Sequence, residues 1–283
     1  MKLIISRKGF DTSAGGVPSP IFPDGRMVSL PIPGKQSPIC YSDISFDGNS
    51  IAPIVSSLTR GRFQSYHGAH LDPDLSSESL KRHHLWKPIF GQSGAAQGHL
   101  DNNGVQAGDL FLFFGLFRRT VNSNGHYMWV KESLPVHVIW GWLQIGEVLP
   151  LDNYEGPYLD WAAYHPHFHC EKSHSNCLYI SSTRLKLEHC PFRDLPGAGI
   201  FTKFSAGKQL TGPNANRPSL WELPSWFYPC GGRKPLTYHN SPDRWRKINN
   251  RTELKVASRG QEFILDCDDY PEAFQWLGSL FAE

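Results

Sequence analysis

The stretch GDLFLFFG, residues 108–115, decides the fold class. A Gly-Asp turn precedes an uninterrupted apolar run, which is typical of a strand buried on both faces. The segment HVIWGWLQIGEV, residues 137–148, is rich in β-branched and aromatic residues and predicts a second long strand. Gly141 interrupts that segment and indicates a bulge or a close approach of another group to the backbone.

Shorter elements are predicted on both sides of this central pair. Strands are predicted at residues 3–5, 177–181, 199–204 and 262–265. Helices are predicted at residues 51–58 and 76–84, and from Pro271 onward. Residues 212–242 are rich in Pro and Gly and predict irregular chain. We therefore predict one α+β domain over residues 1–283, with a small, curved, mostly antiparallel sheet or barrel, long loops and a C-terminal helix.

Charge and cysteine content limit the function classes. A formal net charge of +2 over 283 residues gives no strong field for sequence-independent DNA binding, and favours a small nucleotide or a strand delivered by a partner. The six cysteines include no CxxC pair, which argues against a zinc ribbon and fits reduced thiols. No apolar run reaches the roughly 18 residues that span a bilayer. We expect a cytoplasmic protein with no membrane partner.

Polar residues gather in the loop after the first strand. Arg7, Lys8, Asp11 and Ser13 lie there among glycines, where side chains and free backbone N–H groups can converge on a phosphate. The spacing matches neither a P-loop nor a dinucleotide-binding fingerprint. An ordinary structured loop is the alternative.

The segment HGAHLDPDL, residues 67–75, carries a second cluster. In an extended chain His70, Asp72 and Asp74 would project to one face. An imidazole with two carboxylates suits a divalent cation, or a general base with its orienting acid. The alternative is an Asp-Pro-Asp turn beside an unrelated histidine.

A third cluster, YHPHFHC at residues 164–170, has alternating histidines. His165, His167 and His169 would share one face of a strand, and His174 and Cys177 follow downstream. The spacing matches no common zinc module, so metal binding by His165 and His167 is one alternative among others. The sequence leaves the cofactor unassigned, with a divalent metal as one candidate.

Gln97 and His99 stand in a glycine-containing stretch just before the central strand. Their side chains are candidates to hydrogen-bond a base or a sugar. Polar residues that cap a helix would give the same pattern, and this alternative stays open.

Several motifs together resemble a known family. They are the opening MKLIISRKGFDTSAGGVPSPIFPDGRMVSLPIP, then HGAHLDPDL, GDLFLFFG, HVIWGWLQIGE, YHPHF, SLWELPSWF and RGQEFILD. Across nearly the whole chain they resemble the nucleotide modification associated domain 3 family of bacteria and phages, which gene context links to DNA base modification. The resemblance implies a nucleotide or DNA as partner, together with other modification or defence proteins. It does not imply a particular reaction.

The two central segments are also similar to the core of PUA-like domains of the EVE and ASCH type. In these domains a small barrel holds a nucleobase, often a modified one, in an aromatic pocket. The similarity implies a PUA-like core over roughly residues 85–205. It also implies a pocket wall of Phe114, Trp140 and Trp142, with Gln97 and His99 near the mouth.

Three functional hypotheses follow. In the first, an enzyme or enzyme accessory of base modification uses Lys8, Asp11, His70 and Asp72 as catalytic residues. Its nucleotide-binding residues would be Arg7, Ser13, Gln97, His99, Phe114 and Trp140. In the second, a non-catalytic reader flips a modified base into the aromatic pocket in a phage or defence context. In the third, the chain is a structural subunit of a modification complex.

Overall fold

The computed structural model describes residues 1–152, 154, 157–169, 175–188 and 194–282. Its strands are β1 Lys2–Arg7, β2 Ser19–Ile21, β3 Ile32–Pro33, β4 Ser45–Phe46, β5 Asn49–Ser50, β6 Ala69–His70, β7 Ile89–Gln92, β8 Leu110–Ser123, β9 His126–Trp129, β10 Val136–Pro150, β11 Cys177–Ser181, β12 Ala198–Ile200, β13 Leu220–Pro224, β14 Trp245–Ile248, β15 Arg251–Lys255 and β16 Glu262–Asp266. Its α-helices are α1 Ala52–Leu58, α2 Gly94–Asn102 and α3 Glu272–Ala282.

One large mixed sheet organises the molecule. Its order is β16-β1-β8-β10-β11-β7, with β12 paired to β10 and with β2 and β9 paired to β8. Strand β8 is parallel to β1 and to β2, and the other pairs of this sheet are antiparallel. A separate antiparallel sheet has the order β13-β15-β14. Strands β8 and β10 lie at the centre of the large sheet, where neighbouring strands pair with both of their edges and a core covers each face. Their long apolar runs suit this position.

The two faces of the large sheet pack into two different cores. Leu3 and Ile5 of β1 and Phe114 of β8 point toward α3 and the small sheet. Ile4 of β1 and Phe113 of β8 alternate with these residues and point to the opposite face, which is the concave face of the sheet. Because side chains alternate along a strand, Arg7 follows the first set and Lys8 follows the second.

The large sheet curls until side chains of its two edge strands touch. Gln92 of β7 donates from Nε2 to Oε1 of Glu262 on β16 at 2.5 Å. No backbone ladder joins β7 to β16 among the described strands, so these strands form no closed barrel. The α+β class and the curved sheet are confirmed, whereas a PUA-like barrel is not shown.

Several predicted elements are confirmed, and others need correction. The helix at residues 51–58, the C-terminal helix and the bulge near Gly141 are confirmed, and the register of β10 on β8 shifts between Ile139 and Gly141. The helix predicted at residues 76–84 is wrong, because that segment forms turns. The irregular chain predicted at residues 212–242 contains β13, which pairs with β15.

Candidate functional site

Asp72 is the centre of the candidate site. Its side chain is only 5% exposed, and it lies just after β6. The backbone N–H of Gly91 in β7 donates to Oδ1 of Asp72 at 2.8 Å. A buried carboxylate needs such partners, because it has lost the water that would otherwise solvate its charge.

Three imidazoles converge on this carboxylate. The Nε2 atom of His165 lies 3.4 Å from Oδ1 of Asp72. The Nε2 atoms of His167 and His70 lie 3.4 Å and 3.7 Å from Oδ2. His70 is 27% exposed and forms the open side of the group, whereas His165 is fully buried. We call His70, Asp72, His165 and His167 the Asp72 cluster.

A short turn brings the two buried histidines together. Residues Pro166–Phe168 form a 3₁₀ helix, so the rings of His165 and His167 lie 5.6 Å apart on the same side. The prediction that His165, His167 and His169 share a strand face is therefore wrong. His169 turns outward, where its Nε2–H donates to the carbonyl of Ala163 at 2.7 Å. Cys170 and His174 lie outside the described residues.

Asn176 orients His167. The Nδ2 amide of Asn176 donates to the carbonyl of His167 at 2.9 Å, which fixes the amide so that Oδ1 faces the ring. His167 Nδ1 lies 2.6 Å from that oxygen and therefore carries the proton that it donates. In the neutral ring the Nε2 lone pair consequently points toward Asp72.

Gly91 makes room for His167. A Cβ atom at Gly91 would lie 2.3 Å from Cδ2 of His167, far inside van der Waals contact. Glycine is thus the residue that lets β7 hold Asp72 with its N–H while the ring packs across the strand. Gly91 and Asn176 were missed by the sequence analysis, since neither carries a charge or a recognisable spacing.

The pKa values of Asp72, His165 and His167 are shifted from their usual values. Burial favours the neutral acid of Asp72, yet the facing imidazoles of His165, His167 and His70 hold its pKa well below the usual range. Burial lowers the pKa of His165 despite Asp72. Burial also opposes the charge on His167, but Asp72 and Asn176 outweigh it and raise the pKa of His167. Such perturbed groups concentrate at functional sites.

Asp74 belongs to a different network. Arg82 clasps its carboxylate with two bonds of 2.6 Å and 2.7 Å, and the hydroxyl of Tyr164 donates to the same group at 2.5 Å. This ionic pair satisfies Asp74 completely. Asp74 therefore does not join His70 and Asp72 as the alternation predicted.

A second polar group lies beside the Asp72 cluster, and we call it the Lys8 group. Lys8 Nζ lies 3.0 Å from Oε1 of Glu262, which is 1% exposed, and Gln92 donates to the same oxygen. Lys8 is close enough to His167 to lower its pKa electrostatically. Oε2 of Glu262 and Oγ of Ser6 are buried with no hydrogen-bond partner among the described residues. Gln92 and Glu262 were not predicted as site residues.

Arg7, Asp11 and Ser13 belong neither to the Asp72 cluster nor to the Lys8 group. Arg7 points to the opposite face of β1, where it packs on the ring of Phe114 and bonds to the carbonyl of Ala257. Asp11 accepts hydrogen bonds from the backbone N–H and hydroxyl of Ser13 and from the N–H of Ala14, each at 2.7 Å. Asp11 and Ser13 thus close their own turn, and no hydrogen bond joins them to Lys8 among the described residues.

Gln97 and His99 lie on α2 rather than in a loop. Gln97 is fully buried and accepts a hydrogen bond from the hydroxyl of Tyr179 at 3.0 Å. Nε2 of His99 lies 3.1 Å from the hydroxyl of Thr237, and the ring contacts that of Tyr238 at a tilt of 41°. Burial lowers the pKa of His99, and the charge of Glu262 opposes that shift. His99 is therefore near the Lys8 group.

The predicted aromatic wall is divided between the two faces of the sheet. Phe114 and Trp142 lie in the core on the α3 side, whereas Trp140 lies on the concave side. Trp140 and Asp72 line one pocket of about 60 Å³ together with Phe201. The indole Nε1 of Trp140 is buried without a hydrogen-bond partner in the described part of the chain. Phe114 does not reach this pocket.

Comparison with known proteins gives one family. The model of the family described as nucleotide modification associated domain 3 matches residues 2–266. Neither the curated proteins nor the solved structures yield a significant match. Within the described ranges, no helix combines the length and the apolarity that crossing a bilayer requires.

Proposed function

We propose, because the chain belongs to the nucleotide modification associated domain 3 family, that it is an enzyme that chemically alters a nucleotide or a nucleobase at the Asp72 cluster. One observation carries the proposal: three imidazoles converge on a single buried carboxylate beside a pocket. Imidazole and carboxylate groups held together in this way can transfer protons or bind a cation.

Asp74 shows what a purely structural carboxylate looks like in this chain. It is buried and is satisfied by one bidentate arginine. Asp72, two residues earlier, is surrounded by three titratable rings instead, and His165 has both ring nitrogens buried without a hydrogen bond among the described residues. Leaving polar atoms unsatisfied costs stability, about 1–3 kcal/mol for each group. Because this arrangement lowers the stability of the fold, its presence favours a functional role for the Asp72 cluster.

The surroundings of the Asp72 cluster suit a nucleobase. Trp140 and Asp72 line the same pocket, and the buried indole N–H of Trp140 has no acceptor in the part of the chain that the structure describes. A flat aromatic base can stack on a tryptophan ring. The pocket opens onto a second hollow of about 260 Å³, and both are lined by Ser29, Leu71 and Ile200. The low net charge supports a small nucleotide or a partner-delivered strand over long duplex DNA.

Nucleoside mass spectrometry tests the proposal. Purified protein is incubated with free nucleotides and with single- and double-stranded DNA, both plain and modified, with and without divalent metal ions. We expect a mass change in at least one substrate. Asp72→Asn keeps the shape of the side chain but removes its charge, so the change should fall by at least 100-fold, in the range of lost acid–base catalysis.

The matched control is Asp243→Asn, which alters an exposed carboxylate far from the Asp72 cluster in sequence. It should leave the rate unchanged. If Asp72→Asn reacts as fast as the wild type, the Asp72 cluster is not the reaction centre.

The reader hypothesis is a second candidate because Trp140 lines the pocket and its indole N–H has no hydrogen-bond partner among the described residues. It is supported if no substrate changes mass while the protein binds modified DNA more tightly than plain DNA. Trp140→Phe, which keeps a ring but removes the donor, should then reduce that discrimination by about 10-fold or less, the value of one hydrogen bond.

A further inference from the structure

We infer that His70, Asp72 and His167 are the ligands of one divalent transition-metal ion, with His165 and Asn176 as positioning residues. One ligand atom from each of the three residues lies within 4.8 Å of the other two. The inference deepens the proposed function by naming a cofactor class for the same site. The binding site itself rests on ligand geometry, and only the role of the ion in a reaction rests on the proposed function.

The distances fit an ion better than they fit hydrogen bonds. Oδ2 of Asp72 is 3.4 Å from Nε2 of His167 and 3.7 Å from Nε2 of His70. Good N–H···O hydrogen bonds measure about 2.7–3.2 Å. Two ligands that each lie about 2.0–2.2 Å from a tetrahedral zinc ion are separated by roughly 3.3–3.6 Å. The two distances from Oδ2 of Asp72 are thus close to the spacing of ligands around a common ion, and the ligand atoms of the two histidines lie within 4.8 Å of each other.

The two carboxylate oxygens of Asp72 contact different groups. Oδ1 accepts the N–H of Gly91 at 2.8 Å and faces His165. Oδ2 faces the two proposed histidine ligands. Carboxylate ligands are commonly held in this manner, with one oxygen on the metal and the other fixed by surrounding donors.

His167 is prepared as a ligand by Asn176. Because Nδ1–H of His167 donates to Oδ1 of Asn176 at 2.6 Å, the neutral ring presents its Nε2 lone pair to the centre. A metal-bound histidine almost always has its other ring nitrogen bonded in this way, which fixes the tautomer and the ring orientation. The bond from Asn176 Nδ2 to the carbonyl of His167 makes that assignment firm.

Three ligands leave coordination positions open. Two histidines with one carboxylate form the ligand set of zinc hydrolases and of non-haem iron enzymes, in which water or substrate occupies the remaining positions. Imidazole ligands favour Zn²⁺, Fe²⁺ or Co²⁺ over Mg²⁺ and Ca²⁺, which prefer oxygen. The exposed edge of His70 gives the ion a route into the site.

Metal titration tests the inference without reference to activity. Protein stripped by a chelator and dialysed is titrated calorimetrically with Zn²⁺, Co²⁺ and, without oxygen, Fe²⁺, and Mg²⁺ serves as the hard-ion comparison. We expect one equivalent of a transition ion per chain, a visible absorption spectrum for bound Co²⁺, and at least 100-fold weaker binding of Mg²⁺. The bound ion should also raise the melting temperature of the wild-type protein.

Two variants locate the site. His70→Ala removes the most exposed ligand and should weaken binding by more than 100-fold. Asn176→Ala leaves every ligand in place and should weaken binding by about 10–100-fold, as lost supporting hydrogen bonds do. The control is the double variant His83→Ala with His84→Ala, which removes a pair of neighbouring surface histidines that could bind ions adventitiously. It should bind like the wild type.

Each outcome is decisive. If the wild type binds no equivalent of Zn²⁺, Co²⁺ or Fe²⁺ and gains no melting temperature, the inference is overturned. It is also overturned if His70→Ala binds as the wild type does, or if the His83/His84 control loses the binding. Should a variant fail to fold, the wild-type titration and melting shift still decide.

The metal site and the proposed function can fail separately. If the protein binds a metal ion but changes the mass of no nucleotide, the proposed function alone is overturned. If it alters a nucleotide without binding any ion, only the metal site is overturned.

Discussion

At the scale of single residues, Gly91 and His167 show how closely the site is packed. Strand β7 passes so near the ring that a methyl group at position 91 would overlap His167 Cδ2. The same residue supplies the N–H that holds Asp72. One small residue therefore sets the positions of two others.

Gly91→Ala should destabilise the protein by roughly 1–3 kcal/mol, the usual cost of overpacking, because His167 must leave its place. It should also weaken metal binding, since the displaced ring no longer meets Asn176. Chemical denaturation and the zinc titration measure the two effects. Gly98→Ala is the matched control: a Cβ there meets nothing within 4 Å, and alanine favours the helix α2. Equal behaviour of the two variants would contradict the packing argument.

The residue scale also shows the reach of sequence reasoning. Lys8, His70, Asp72, His165 and His167 were all selected from the sequence, because charged and imidazole side chains in Gly- and Pro-rich loops are visible there. Their common position depends on a 3₁₀ turn at residues 166–168 and on the approach of β7, and neither follows from local spacing. Gln92, Asn176 and Glu262 were missed for the same reason, since their partners are distant in sequence or carry no motif.

At the scale of elements, β10 joins the two sheets through a buried histidine. Trp221 of β13 donates from its indole Nε1 to Nδ1 of His137 at 2.9 Å. His137 is therefore neutral, with its proton on Nε2, and burial lowers its pKa to about 3 while the charge of Arg7 acts in the same direction. Asp11 partly opposes this shift.

This contact predicts a pH dependence of stability. An unfolded histidine titrates near 6.5. Between that value and about 3 the unfolded chain binds a proton at position 137 that the folded chain does not, so the free energy of unfolding falls as the pH falls through this window. The slope is at most about 1.4 kcal/mol per pH unit for one group.

Urea denaturation of the wild type and of His137→Asn at pH 7 and pH 5 measures this contribution. The variant should lose less stability between the two pH values than the wild type does. His239→Asn is a useful comparison, because burial lowers the pKa of His239 to about 4 and predicts the same sign with a narrower window. An unchanged slope in His137→Asn would show that this histidine is protonated in the folded state.

The sequence predicts some strands and helices correctly but not how the strands pair. Strands β8 and β10 and helix α3 follow from continuous apolar runs and helical periodicity, which are local properties. The parallel pairing of β1 with β8 and the joining of β13 to β15 are not local, because residues far apart in sequence decide them. Proline and glycine around β13 concealed a strand whose pairing partner comes about 30 residues later.

At the scale of the whole molecule, the Lys8 group ties the two edges of the curled sheet together. Glu262 of β16 bonds to Gln92 of β7 and to Lys8, which follows β1. Removing one member of a buried ion pair typically costs about 3–5 kcal/mol, because the other charge stays uncompensated. These contacts should therefore hold the concave face closed around the site.

Glu262→Ala should lower stability by that amount, and hydrogen exchange should show β7 and β16 losing protection before β8 and β10. Replacing Lys8 by Met and Glu262 by Leu together removes both charges and should be less destabilising than Glu262→Ala alone. Glu132→Ala, at an exposed carboxylate, is the control. Uniform loss of protection across the sheet would contradict a role for these contacts in joining its edges.

The pairing of β1 with β16 also has a consequence for protein synthesis. Lys8 and Glu262 are separated by 254 residues. At about 5–20 residues per second, a ribosome exposes the first of them roughly 10–50 seconds before the second. During that interval β1 has an unpaired edge and Lys8 has no counter-charge. The pairing of β1 with β16 and the contact between Lys8 and Glu262 therefore form only after translation has passed residue 262, whereas every member of the Asp72 cluster has been synthesised well before then.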